Sequence, residues 1–479
     1  MLNLISLPYY KIKKLLINKK ISVIELIKIY LNLAIQDKNN TFCLITYDKA
    51  IKQAKIAQKN IFNKIYGNIV GMPIVIKDNF CIKGLITTSS SKILSNFIPS
   101  YESTIVNKAF FSGAIVIGKT NMDEFAMGST NTNSYFGPTI NKKKKTSKYF
   151  ITGGSSGGSA IAISSRMSLA AIGSDTGGSV RLPASFMGVV GFKPTYGRCS
   201  RYGLISFSNS FDQPGFFTSN IIDSVMLLES ISGYDKKDNT STNIKVPNFS
   251  ILLKKSTNGM KIGIIKEYIK EYIDIDIKIS FEYIIKILIE NKIKIINISL
   301  SYLEYALASY YIITSAEAFS NLSKYDSSCF GTRVIKKNDD YNKMINKTRT
   351  LCLGKEVKNR IFLGNYILCE NNFNDNFKKA QKIRKIIYNI FLKIFNKVQV
   401  IITPISRTYT IPLNKNFDKM TMYANDLFTI PSSLAGLPSI SMPIGFSKTG
   451  NPIGIQLLSK NFDEESIIKI AYLIEKNII

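Results

Sequence analysis

Ile151 to Ala160 reads ITGGSSGGSA and Gly173 to Arg181 reads GSDTGGSVR, two glycine/serine stretches that enclose a run of small apolar residues. Alone, either would suit a flexible linker. Their setting argues otherwise. Ser159 to Arg166 has the small, apolar character of a tightly packed helix, and LAAIGSD, ending at Asp175, reads as a buried strand. A linker has no reason to sit in the most apolar part of a chain. A glycine-rich turn then leads into LPASFMGVV, so the region alternates helix and strand in the manner of an α/β fold.

The same alternation extends outward. Upstream, Ile69 to Ile76 and AIVIGKT near Ala114 are short apolar runs that read as buried strands, each ending in a lysine. Further upstream, Ser22 and Glu25 form a capping box at the head of ISVIELIKIYLNLAI. Residues 1–60 therefore read as an N-terminal helical layer and 61–479 as one large α/β domain. Downstream, Asp235 to Gly259 fills with Lys, Asn, Ser and Thr and reads as a surface excursion between two halves. MKIGIIKEY, an Ile-rich helix ending near Asn291 and KIKIINISL then make a βαβ unit. Helical periodicity returns from Glu304 to Leu322 and from Asn372 to Asn396, and VQVIITP and SISMPIGF are late strands.

Composition narrows the chemistry. The chain has 479 residues and no histidine, which excludes Ser-His-Asp and Cys-His catalysis, His-ligated metals and a histidine pH switch. Hydrophobic residues at 45% and charged residues at 20% give ample material for a core. A net charge of +30 invites a nucleic-acid reading, but lysine is spread along the chain together with Ile and Asn. The one dense run is Lys142 to Lys145, and no RNA-binding aromatic motif accompanies it. Cys43, Cys81, Cys199, Cys329, Cys352 and Cys369 form no CxxC pair and read as reduced core thiols, with no metal site. No segment approaches ~20 consecutive apolar residues, so no membrane association and a cytoplasmic location are expected.

Gly154, Ser156 and Gly158 satisfy G-x-S-x-G, but the hydrolase elbow requires a histidine that is absent. A P-loop would need Lys then Ser or Thr where Ser159 and Ala160 stand. A serine nucleophile still needs a base, and without imidazole the remaining base is a neutral lysine. Lys77 follows the apolar run IVI, where burial would disfavour its ammonium form. The alternative is an ordinary strand-end lysine emerging into solvent.

The order IKD, GGSSGGSA, GSDTGGSVR, GFKPTYGR resembles the amidase signature family. That resemblance implies a large mixed β-sheet flanked by helices, making 61–479 an amidase signature domain. On the matching positions Lys77 would be the base, Ser155 the bridging serine on a cis peptide, and Ser179 the nucleophile. Thr176, Gly177, Gly178 and Ser179 would offer backbone N–H groups to an oxyanion, with Asp175 and Arg181 holding the turn by hydrogen bonds.

Within the family, GKTNMDEFAMGSTNTNSYFGP (118–138), YGRCSRYGLISFSNSFDQPG (196–215), EVKNRIFLG (356–364) and TMYANDLFTIPSSLAGLPSISMPIG (421–445) resemble the A subunits of glutamyl-tRNA(Gln) amidotransferases. This implies glutamine hydrolysis through a glutamyl-serine acyl-enzyme, with the ammonia used to convert Glu-tRNA(Gln) to Gln-tRNA(Gln). Arg360 would take the glutamine carboxylate and Asp426 its ammonium, with Tyr310 or its neighbour Tyr311 lining the pocket. The resemblance further implies a heterotrimer. Its B subunit would bind Glu-tRNA(Gln) and use ATP and Mg²⁺, its C subunit would bridge the other two, and this chain would carry no cofactor or metal. The rival readings are a free-standing amidase acting on another small amide, and a basic RNA-binding protein with a degenerate amidase core.

Overall fold

The computed structural model describes residues 2–142, 148–265, 267–268, 273–413 and 425–478. Lys143 to Lys145 of the lysine run and Thr421 to Ala424 of the last quoted segment lie outside the described residues. Among those described, eleven strands form one mixed sheet. Its first half comprises β1 (Phe42–Ile45), β2 (Pro73–Lys77), β3 (Ile115–Thr120), β6 (Ala170–Asp175), β7 (Val190–Lys193) and β8 (Gln213–Thr218). The second comprises β9 (Lys261–Ile265), β10 (Lys294–Ile298), β11 (Val400–Pro404), β12 (Ser439–Phe446) and β13 (Pro452–Ser459). A two-stranded ribbon, β4 (Asn141–Lys142) with β5 (Tyr149–Phe150), stands apart. The sheet runs β1-β3-β2-β6-β8-β7-β12-β13-β11-β9-β10.

Two parallel blocks lie in this sheet, β3-β2-β6 and β11-β9-β10, joined by antiparallel neighbours. Every residue of β2, β3 and β6 is buried, as continuous apolar runs require when helices cover both faces. The expected βαβ unit is present: β9 and β10 pair in parallel around helix Ile275–Glu290. The pairing that matters for chemistry is β2 with β6, in which Ile76 faces Ile172. Because these strands run in the same direction, Lys77 and the Ser174–Asp175 end of β6 emerge at one edge.

The N-terminal region departs from a purely helical layer. The capping box is formed, with Ser22 and Glu25 capping helix Val23–Ile35, but Phe42–Ile45 is an edge strand paired antiparallel to β3. Tyr9, Leu26 and Tyr30 share one core with Ile74, Ile115 and Ile172, so residues 1–60 pack into the same hydrophobic body as the sheet. The 235–259 segment carries the short helix Phe249–Leu252, and Phe249 is fully buried in that core. An aromatic anchor inside a polar stretch is too small a signal for composition to reveal. The periodicity from Asn372 to Asn396 divides into a π-helical turn, Phe373–Lys378, and helix Lys379–Phe395. The reading of the cysteines as core thiols needs correction at two positions: Cys81, Cys199 and Cys352 are buried, whereas Cys329 and Cys369 are exposed. No described helix is long and apolar enough to cross a membrane.

Candidate functional site

Lys77 ends β2 fully buried, not in solvent. Its Nζ lies 2.7 Å from Ser155 Oγ, 2.9 Å from Ser174 Oγ and 3.3 Å from the Ser174 carbonyl. Burial drives the Lys77 pKa down to about 7, against the opposing pull of Asp123, Asp175 and Asp212. A second buried lysine, on the neighbouring strand, has a different kind of partner. Lys119 is equally buried, but its Nζ sits 2.8 Å from Asp78 Oδ1, a direct ion pair. Lys77 meets only hydroxyl and carbonyl oxygens, which stabilise an ammonium far less than a carboxylate does.

Ser155 follows Gly154 through a cis peptide bond. The Gly154 N–H donates to Ser129 O at 2.8 Å, and the Ser155 carbonyl accepts from Asp123 N at 3.2 Å. Helix Gly157–Ser164 begins just beyond and packs on β6, with Gly157 to Ile163 all buried. The Ser156 N–H donates to the Ser179 carbonyl at 3.2 Å, tying the two glycine/serine stretches together directly.

The turn Thr176–Ser179 leaves β6 and enters helix Arg181–Met187. Thr176 Oγ1 donates to Asp212 Oδ1 at 2.8 Å, and Thr429 Oγ1 donates to the Gly177 carbonyl at 2.6 Å. Among the described residues, nothing accepts from the backbone N–H groups of Gly177, Gly178 and Ser179. Side chains here would collide: a Cβ on Gly177 would stand 2.6 Å from the Tyr310 hydroxyl, and one on Gly178, at φ +150°, 2.4 Å from Thr429 Oγ1. Glycine is required for close approach as much as for conformation.

Arg181 is fully buried and locks this turn. Its donors reach both oxygens of Asp175, the Thr429 carbonyl, Ser432 Oγ, Ser433 Oγ and Gln456 Oε1 at 2.6–3.1 Å. Burial alone would raise the Asp175 carboxyl, but the Arg181 guanidinium beside it holds it below the usual carboxylate range. The same carboxylate accepts from the N–H of Val180 at 3.0 Å and that of Arg181 at 3.3 Å. The expected turn-holding pair is therefore a buried network that also fastens helix Ile430–Leu434 and β13 to the turn.

Ser179 opens into a cavity of about 260 Å³ whose walls include Tyr310, Tyr311, Glu356, Arg360 and Asp426. Helix Leu303–Leu322 supplies both tyrosines and helix Lys355–Leu368 supplies Glu356 and Arg360. Arg360 is only 6% exposed, so its charge sits inside the fold and not on the solvent face of its helix. Its Nε donates to Glu356 Oε1 at 2.8 Å and its guanidinium lies 4.5 Å from the Tyr311 ring centroid. Asp426 is half-buried and accepts from the Tyr311 hydroxyl at 3.3 Å. Burial pushes the Asp426 carboxyl up to about 7, opposed by that hydrogen bond and by Arg360. Burial likewise raises the Tyr310 phenol well above its ordinary range, leaving it a neutral donor beside Gly177. Tyr310 and Tyr311 thus both face the cavity.

The cavity wall brings together Gly177, Gly178, Ser179, Tyr310, Arg360 and Asp426, while Lys77 and Ser155, hydrogen-bonded to each other, are buried and adjoin the Ser179 segment through the Ser156 N–H to Ser179 carbonyl contact. It adds residues that sequence reading passed over: Ser174 and Asn79 beside Lys77, Asp212 beneath Thr176, and Glu356 on Arg360. Glu356 was legible, since it stands four residues before Arg360 on one helix. Asp212 carries no local signal, because it reaches Thr176 only through sheet pairing.

The amidase family model matches residues 25–468. The A subunit of the glutamyl-tRNA(Gln) amidotransferase of Wolbachia pipientis subsp. Culex pipiens (strain wPip) is 45% identical over 463 residues, 96% of this chain and 94% of that protein. The protein of the same name from Orientia tsutsugamushi (strain Ikeda) is 44% identical over 483 residues, 99% and 97% of the respective chains. The crystal structure of the A subunit of the glutamyl-tRNA(Gln) amidotransferase of Thermotoga maritima superposes with a TM-score of 0.73 at 38% identity, covering 86% of this chain and 84% of that one. With residues 25–468 matching the family model and relatives 44–45% identical over nearly its whole length, the chain belongs to the amidase family.

Proposed function

We propose that the chain hydrolyses the side-chain amide of glutamine at Ser179 and supplies the ammonia that converts Glu-tRNA(Gln) to Gln-tRNA(Gln). The observation that carries this reading is a cavity pairing a buried cation, Arg360, with a carboxyl, Asp426, beside Ser179. Such a pair suits the carboxylate and ammonium of an α-amino acid, with its amide end directed at the serine. Relatives at 44–45% identity over nearly the full length carry the amidotransferase A-subunit name, which supports the same role.

In the chemistry we propose, Ser179 Oγ attacks the amide carbon while its proton passes to Ser155 and the Ser155 proton passes to Lys77 Nζ. The unspent N–H groups of Gly177, Gly178 and Ser179, extended by Thr176 at the head of the turn, receive the oxyanion. Collapse returns the proton to the leaving nitrogen as ammonia, and water then releases glutamate by the same relay. This chain needs no cofactor or metal for these steps. The partners are a B subunit that binds Glu-tRNA(Gln) and uses ATP and Mg²⁺, and a bridging C subunit. Production of glutamate from L-glutamine by the full chain co-expressed with those two partners, coupled to Gln-tRNA(Gln) formation, tests the reading. Hydrolysis of other small amides without glutamine turnover would return the free-standing amidase.

Two expected results belong to this pocket. Arg360→Ala and Asp426→Ala each remove one half of amino-acid recognition. A charge-assisted hydrogen bond is worth ~1.5–3 kcal/mol, so each should lower kcat/KM for glutamine roughly 10- to 100-fold. A simple amide lacking both charges should lose far less, and equal losses on both substrates would refute the assignment.

The second concerns pH. Lys77 accepts a proton only as the free amine, and with its pKa held down to about 7 that form grows as pH rises through 7. Asp426 binds an ammonium only when ionised, a form that also grows upward through about 7. Both groups therefore lose competence on the acid side. Steady-state kcat/KM should decline below about pH 7, more steeply than with one ionisation, and Asp426→Asn should reduce the steepness. A profile flat down to about pH 5 would contradict both assignments.

A further inference from the structure

Among the described residues no carboxylate lies within ion-pair distance of Lys77, yet its nitrogen is ringed by oxygen. Ser155 Oγ, Ser174 Oγ and the Ser174 carbonyl stand at 2.7, 2.9 and 3.3 Å. An ammonium carries three N–H donors and no acceptor, so this set matches the protonated lysine donor for donor. A touching carboxylate, such as Asp78 provides for Lys119 at 2.8 Å, would fix the ammonium too firmly for a base. Hydroxyl and carbonyl oxygens receive it and still release it.

Ser174 is itself held. Asn79 Nδ2 donates to Ser174 Oγ at 3.0 Å, and Ser156 Oγ donates to the Ser174 carbonyl at 3.1 Å. Both Asn79 and Ser174 are at most 2% exposed, so neither contact is open to solvent. Asn79 follows Lys77 by two residues, so one chain segment carries both the base and the clamp on its acceptor.

We propose that Ser174, fixed by Asn79, is a positioning residue that completes the acceptor set for the Lys77 ammonium formed when the Ser179 proton arrives through Ser155. This rests on the reading of Lys77 as the base. In the acylation step a lone pair of Ser179 Oγ forms the new C–O bond as the carbonyl π pair moves onto the amide oxygen, the Ser179 proton goes to Ser155 Oγ, and the Ser155 proton goes to Lys77 Nζ. On collapse the oxyanion pair re-forms C=O, the C–N bond breaks, and the proton returns by the same route to the departing nitrogen, which leaves as ammonia. Asp123 beyond β3, Asp175 at the end of β6 and Asp212 ahead of β8 face Lys77 at longer range and favour the same ammonium.

The test uses the full chain co-expressed with its two partners, with L-glutamine as substrate. Ser174→Ala should lower kcat roughly 10- to 100-fold with KM nearly unchanged, because a hydrogen bond to a charge that forms during reaction is lost. Its acid limb should move to lower pH by about one unit, since the ammonium loses an acceptor and the free amine loses less. Ser174→Thr, which keeps the hydroxyl, should restore both. Asn79→Ala should show a smaller loss with the same direction of shift, and should add nothing in the Ser174→Ala background. Turnover within about threefold of wild type, or a fall in kcat with the acid limb unmoved, would overturn the proposal. Should Ser174→Ala fail to fold, the limb of Asn79→Ala decides alone. Lys77→Ala run in parallel separates the two levels: if it stays active the base itself is misassigned, whereas if it is inactive and Ser174→Ala is unaffected, only the positioning role fails.

Discussion

Ser179→Ala should abolish glutamine hydrolysis and leave a folded chain. The Ser179 hydroxyl lines the cavity, while the contact that ties its segment to the rest, Ser156 N–H to the Ser179 carbonyl at 3.2 Å, uses backbone only. Alanine therefore deletes the attacking oxygen and keeps the turn. Loss of a nucleophile that works as one unit with its base costs on the order of 10⁴- to 10⁶-fold. In the assembled complex, transamidation driven by glutamine should stop, whereas transamidation supplied with free ammonium should continue near its wild-type rate. Thermal unfolding and partner co-purification provide the control. If a well-folded complex lost both activities, the ammonia-supplying role of this site would be wrong.

Lys77→Arg should be nearly as inactive as Lys77→Ala, each lower than wild type by about 100- to 10,000-fold, the usual range for loss of a general base. Arginine keeps the positive charge but stays protonated in proteins, so it cannot accept the Ser155 proton. The geometry adds a second obstacle. The space around Nζ is fully buried and shaped by three oxygens within 3.3 Å, room for an ammonium and not for a planar guanidinium. Glutamine turnover by the arginine variant above about a tenth of the wild-type rate would make Lys77 an electrostatic residue and end the proton relay.

Much of the central α/β block was readable because its signals are local. Lys77 after IVI, the small-residue helix between two glycine/serine stretches, and LAAIGSD each announce themselves within ten residues, and the structure has β2, helix Gly157–Ser164 and β6 there. Edge strand β1 was not readable, since FCLI is too short to outweigh the helices on either side and becomes a strand only by pairing with β3. The exposed Cys329 and Cys369 show the converse, that a residue type usually buried carries no information about which face of a loop it occupies.

By itself the sequence determined the class of chemistry: no histidine leaves lysine as the base for a serine nucleophile, and the glycine-rich turns mark where backbone must approach closely. Which lysine is fit for that work was decided only in three dimensions. Lys77, the last residue of β2, and Lys119, the last but one of β3, lie on neighbouring parallel strands and are both fully buried, and their partners differ: a carboxylate touches Lys119 and three neutral oxygens surround Lys77. Likewise Arg360 and Asp426 are ordinary charges in the linear chain. They become a matched pair because two helices and the segment before helix Ile430–Leu434 converge on one cavity, where burial and not sequence distance sets how strongly charges act.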